Sequence, residues 1–272
     1  MDALLAVANW LLPLVYLALL IDYGAAFFLR ARDQGRNPWL GPAIVFAASV
    51  LLLQALRLGR PYPATNYEVM AVVALATAGV YMLIEYLSRD RRTGVFVFLV
   101  VFLFQYTASI FAPEQAAPAG LAQQPVWGRV HMLPAIVAYT SFTIAAIYGL
   151  LHLVAQRDLK QHRVGLLFDR LPPLERLGSM CWHAVAVGFG FITLAMISGA
   201  LMYQRTSGEM DFKVLSKIVT GAAAWLIYGL AVVCRLAGRC PPGRVSRIAV
   251  YGFAVVLLML VASIVLSFGG KR

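Results

Sequence analysis

Charge is what this sequence has least of. Lys, Arg, Asp and Glu make up 13% of its 272 residues, about half the share usual in a soluble domain. That excludes an ordinary soluble fold. Carboxylates are scarcest, with Asp and Glu together numbering 12. Inside the apolar stretches they are few, and Asp22 and Glu85 are each expected to pair with nearby basic groups. An ion pathway across a bilayer needs a chain of such groups, so a coupled transporter is disfavoured. Cysteine is nearly absent too. Cys181, Cys234 and Cys240 form no Cys-x-x-Cys spacing, which excludes a disulfide framework or thiol relay and predicts three free thiols. No Walker loop, zincin helix or nucleophile elbow occurs.

What the chain has in abundance is apolar length. Hydrophobic residues make up 61%, and runs of about 20 of them cross a hydrocarbon core of about 30 Å as helices. Eight such spans are predicted, at about 3–29, 40–57, 66–87, 95–112, 130–155, 180–203, 214–234 and 247–268. The expected fold is a single all-α, polytopic membrane domain over 1–272. The first span is too long, and too poor in leading basic residues, for a cleaved signal peptide.

The net charge of +11 would point to nucleic acid in a soluble protein. Here its distribution reads as orientation, and no nucleic-acid partner is expected. Fifteen of the 23 Lys and Arg fall in the loops after the first, third, fifth and seventh spans. The positive-inside rule places those loops in the cytoplasm and both termini outside; an even span count agrees. The three cysteines then lie near the inner face. The inner loop 156–179 is the longest and most charged, and its "GLLFDRL" stretch is expected to lie on the membrane surface as a short amphipathic helix.

Four histidines occur. His162 sits in the charged inner loop and reads as solvated. His131 and His152 are predicted on one helix, about 31 Å apart at 1.5 Å per residue, and so at its opposite ends. His183 opens the next helix at a depth similar to His152. The two are expected to approach each other near the inner face, where paired imidazoles suit the iron of a porphyrin. Interfacial histidines bonded to backbone or headgroups are the plainer alternative.

A second constellation gathers on the outer side. "LLLQALRLGRPYPATNYE" (51–68) closes the second span with Gln54, Arg57 and Arg60 and opens the third through Tyr62, Asn66, Tyr67 and Glu68. "PVWGRVH" (125–131) adds Trp127, Arg129 and His131 at the mouth of the fifth. One imidazole, three guanidiniums and several aromatics suit a flat, apolar, dianionic ligand with a metal centre. Rings pack on its plane, arginines pair with its carboxylates and histidine ligates the metal. Haem has that shape and charge. Arginines snorkelling to headgroups beside an ordinary aromatic belt remain the alternative.

These stretches also resemble a known family, the membrane-integral cytochrome c assembly proteins of the CcsA, CcmC and HemX group, with the eight-helix HemX-like branch the nearest likeness. "GRPYPATNYE" (59–68) is similar to the family's Gly-x-x-Pro-x-Ser-Asn-x-Tyr-Glu lead into the third helix. "VHMLPAIVAYTSFTIAAIYGLLHL" (130–153) looks like its histidine-led fifth helix, and "LPPLERLGSMCWHAVAVGFGFITLAMISG" (171–199) like its Leu-Pro-Pro-Leu loop and following helix. "DFKVLSKIVTGAAAWLIYG" (211–229) is similar to its Asp-x-Lys and Trp-Leu-x-Tyr-Gly helix.

The resemblance implies haem handling at the outer face of a bacterial cytoplasmic membrane, in concert with other assembly subunits and apocytochrome c. It matches His131 to the family's outer haem-iron ligand, while His183 has counterparts in some relatives. Gln54 stands where many relatives have a histidine, Ser216 where some do, and 113–129 holds a single tryptophan in place of a tryptophan-rich motif. A haem-handling subunit is therefore expected rather than a complete haem lyase. Its haem iron would be held by His131, with His183 and His152 as a second set. Arg57, Arg60 and Arg129 would meet the propionates, Trp127 would pack on the ring, and Gln54 would accept a hydrogen bond or leave an axial position open. A regulatory or scaffold protein of haem synthesis, acting through loop 156–179, and a small-molecule transporter are the other readings.

Overall fold

A computed structural model describes residues 2–29, 36–57, 63, 65–111, 126–162, 170–205 and 212–269. Among them eight α-helices follow in order: α1 (Asp2–Phe28), α2 (Leu40–Arg57), α3 (Asn66–Ser88), α4 (Gly94–Phe111), α5 (Val126–Lys160), α6 (Leu174–Arg205), α7 (Phe212–Leu236) and α8 (Pro242–Gly269). Each contains a stretch long and apolar enough to cross a bilayer. A helix closes its backbone hydrogen bonds internally, which lipid demands because it offers no partners. The chain is an all-helical multi-pass membrane protein. Large apolar side chains point outward along several helices, Leu52, Leu53 and Leu56 on α2 and Leu226, Leu230 and Val233 on α7 among them, as lipid contact requires.

Several helices outrun the predicted spans. α5 continues through Gln156, Arg157 and Lys160, because hydrophobicity marks only where lipid touches the helix. Its backbone ladder goes on into water, and basic residues in the last turn oppose the negative end of the helix dipole. Most of the "GLLFDRL" stretch lies outside the described residues.

The helices pack as two compact units, α1–α4 in the first and α5–α8 in the second. In the first, α4 packs against both α1 and α3. Its aromatic centre is Phe98, stacked on Tyr23 with ring centroids 5.0 Å apart and meeting Tyr81 edge-on and Tyr16 at a tilt. Gly94 opens α4 because a Cβ there would stand 2.3 Å from the Tyr23 ring. A buried polar cluster ties the ends of these helices together. Glu85, 2% exposed, accepts hydrogen bonds from the Tyr23 hydroxyl and the Asn37 backbone N–H. Asn37 Nδ2 donates to Asp22 at 2.9 Å, and Arg91 lies 3.4 Å from the same carboxylate. Asp22 thus finds its expected basic partner, whereas Glu85 is held mainly by neutral donors. Arg170, on the segment leading to α6, donates to the Phe27 carbonyl in the same unit.

In the second unit α5 lies along α6 and also packs on α8, which in turn meets α7. Phe142 and Tyr228 stack face to face with centroids 3.6 Å apart. One expectation is corrected here. Cys234 and Cys240 form a disulfide, leaving Cys181 as the free, buried thiol. The cause is local. Gly238 adopts the left-handed conformation (φ 67°), and the Arg239 and Cys240 N–H groups both bond back to the Cys234 carbonyl at 3.1 Å. The turn therefore brings the two Cα atoms to 5.3 Å, within bridging range. A spacing of six residues hides this because it matches no familiar cysteine motif.

Candidate functional site

α5 and α6 run past each other in a register marked by three rings and three glycines. His131, Phe142 and His152 of α5 face Gly199, Gly188 and Gly178 of α6. Each step forward along α5 is matched by the same step back along α6. The intervals are close to three helical turns, so one stripe of each helix is involved. A Cβ at Gly199 would stand 3.1 Å from the His131 ring, at Gly188 2.5 Å from Phe142, and at Gly178 3.3 Å from His152. Small residues let membrane helices approach closely, and here each absent side chain makes room for a ring.

At one end of this stripe His131 is half-buried. Its Nδ1 lies 2.8 Å from the Ala195 carbonyl oxygen. A carbonyl can only accept, so Nδ1 carries a proton, and the lone pair available to a metal in the neutral form of the ring is the one at Nε2. Ser198 Oγ donates to the Leu194 carbonyl at 2.8 Å and shares that proton with the Ala195 carbonyl at 3.1 Å. Nε2 has no hydrogen-bond partner among the described residues. Metal-binding histidines are built this way, with one ring nitrogen tied to a backbone acceptor and the other facing the metal. The sequence singles out His131, but not Ala195, Ser198 or Gly199. The only trace of them there is the "AMISG" run (195–199) ending the α6 stretch that carries the family likeness.

The other end is closed. His152 is 3% exposed, with Nδ1 3.0 Å from Ser246 Oγ on α8 and Nε2 turned toward Gly178. His183 is exposed and pairs with Ser179 one turn back on its own helix, at 3.3 Å. The structure does not bring His152 and His183 together: Gly178 and His183, five residues apart, fall on different faces of α6.

The remaining candidates divide between the units. Gln54 is half-buried and Arg57 exposed at the end of α2, in the first unit. Arg60 and Tyr62 lie outside the described residues, and of Trp127 and Arg129 only their place in the first turn of α5 is described. Ser216, at the start of α7, is half-buried. Tyr67 and Glu68, expected at the ligand-facing rim, have structural roles. Glu68 and Thr65 form a reciprocal capping box that starts α3, satisfying backbone donors that a helix N-terminus otherwise leaves open. Tyr67 is buried and stacks on Phe111 at 5.4 Å.

A sequence profile described as "Cytochrome C assembly protein" matches residues 64–268. The chain is similar to proteins named "Cytochrome c biogenesis protein CcsA". With the one from Heterosigma akashiwo it shares 23% identity over 233 residues, covering 72% of this chain and 71% of the relative. The one from Chlamydomonas reinhardtii shares 25% over 232 residues, 79% of this chain and 63% of the relative. That of Synechococcus sp. (strain CC9902) shares 23% over 288 residues, 93% and 92%. No solved structure matches the chain. Because the profile match runs from just before α3 to the last turn of α8, and so takes in His131, Ala195 and Gly199 together, the chain belongs to the cytochrome c assembly protein family.

Proposed function

We propose that this protein binds haem and presents it during cytochrome c assembly, with His131 Nε2 as the nitrogen that would ligate the iron. The observation that carries this reading is the hydrogen bond from His131 Nδ1 to the Ala195 carbonyl, which engages one ring nitrogen and leaves Nε2 without a hydrogen-bond partner among the described residues. The residues present fit such a group. A neutral imidazole with a fixed ring plane supplies the ligand, and Gly199 gives the ring its place against α6.

In this reading Arg129 would meet a propionate and Trp127 would pack against the porphyrin, both on the helix that carries His131, while Arg57 and Arg60 as further propionate partners and Gln54 as a hydrogen-bond acceptor are candidates that rest on the sequence alone. The likeness to the HemX-like branch, and the single Trp127 in 113–129, favour a haem-handling subunit working with other assembly proteins and apocytochrome c. The arginine-rich loops support a topology with both termini outside, and the family likeness supports a bacterial cytoplasmic membrane with the haem site on its outer face.

Absorption of the detergent-purified protein tests this directly. A Soret band is expected, lost or strongly shifted in His131→Ala and retained in His152→Ala and His183→Ala. A six-coordinate bis-histidine spectrum unchanged in His131→Ala would contradict the proposal. Complete absence of haem binding, with function lost on deleting 156–179, would favour the regulatory reading instead.

A further inference from the structure

The end of the α7–α8 pair carries a feature that haem handling does not use. A groove of about 540 Å³ is lined by Arg244, Arg247, Ile248, Tyr251, Gly252 and Val255 of α8, with Ile227 of α7. The α8 residues follow helical spacing, so they form one stripe. Both arginines stand at one end of it and only apolar or aromatic groups lie beyond. From Arg244 to Val255 the stripe is about 16 Å long at 1.5 Å per residue, close to half the hydrocarbon thickness of a bilayer.

Arg244 and Arg247 are both exposed. Arg244 donates to the Arg239 carbonyl and Arg247 to that of Gly243. That leaves most of each guanidinium's five N–H donors for a ligand. Arg235 and Arg239 add charge at the same turn. No Asp or Glu occurs from residue 212 to the C-terminus, and among the described residues no carboxylate pairs with any of the four. Four cations beside an unneutralised apolar groove need an anion that carries its own apolar tail.

We propose that this groove binds an anionic phospholipid, its phosphate held by Arg244 and Arg247 and one acyl chain laid along Ile248, Tyr251, Gly252 and Val255. Gly252 keeps the groove floor low, since its Cα approaches Ile227 so closely that a Cβ would stand 2.7 Å from that side chain. A free phosphate would use the arginines and leave the apolar stripe without a role. Basic pockets between membrane helices recognise lipid headgroups in this way.

The test uses the full chain in nanodiscs of phosphatidylcholine, alone or mixed with phosphatidylglycerol, read by native mass spectrometry and thermal unfolding. Phosphatidylglycerol is expected to be retained and to raise Tm, while inorganic phosphate does neither. The double variant Arg244→Gln/Arg247→Gln should lower retention about tenfold or more. Arg244→Lys/Arg247→Lys should keep most of it, and Val255→Trp, which preserves both charges but fills the groove, should lose it. Equal retention of phosphatidylglycerol by the wild type, the double Gln variant and Val255→Trp would overturn the proposal. So would full displacement by inorganic phosphate, or equal stabilisation by phosphatidylcholine.

Discussion

His131 and His152 sit on the same helix, each against a glycine of α6 and each with Nδ1 engaged, yet they differ in what they can do. The partner of His131 is a carbonyl, which dictates the tautomer, and its ring is half-exposed. The partner of His152 is a hydroxyl, which can donate or accept, and its other nitrogen faces packed helix. Depth and residue type therefore do not distinguish the two histidines. The partner on Nδ1 and the exposure of the ring do.

Replacing the glycines one at a time separates the two ends. Gly199→Leu should have the largest effect, displacing the His131 ring and lowering haem affinity roughly 10–100-fold, the range seen when metal-supporting contacts are lost. Haem titration against the wild type measures it, and unchanged affinity would uncouple Gly199 from the site. Gly178→Leu should leave the Soret band in place but destabilise the fold by about 1–3 kcal/mol through overpacking against His152, read by unfolding in detergent. Smallest is Ser246→Ala, about 0.6 kcal/mol, typical of a single hydrogen bond between membrane helices. A haem defect in either of the last two would show that the closed end also takes part.

The helices were legible because each apolar run reaches at least the roughly 17 residues with which a helix can cross the hydrocarbon core. His131 was legible because a titratable group at the start of such a run stands out. The capping box at Thr65 and Glu68 is visible as Thr-x-x-Glu, although the position of Glu68 beside Tyr67 and near Arg60 in the sequence suggests a ligand-facing rim instead. The local turn that joins Cys234 to Cys240 was not visible, since it depends on the backbone of Gly238 and not on cysteine spacing.

By itself the sequence determined that the chain is helical, membrane-spanning and marked by a histidine where α5 begins, because hydrophobicity and the cost of a polar group in lipid act on each segment independently. Only the tertiary structure decided which nitrogen of that histidine is available. Ala195 and Gly199 lie on another helix, and no local preference of either segment sets the register that brings them to His131. Close packing of rings against glycines does.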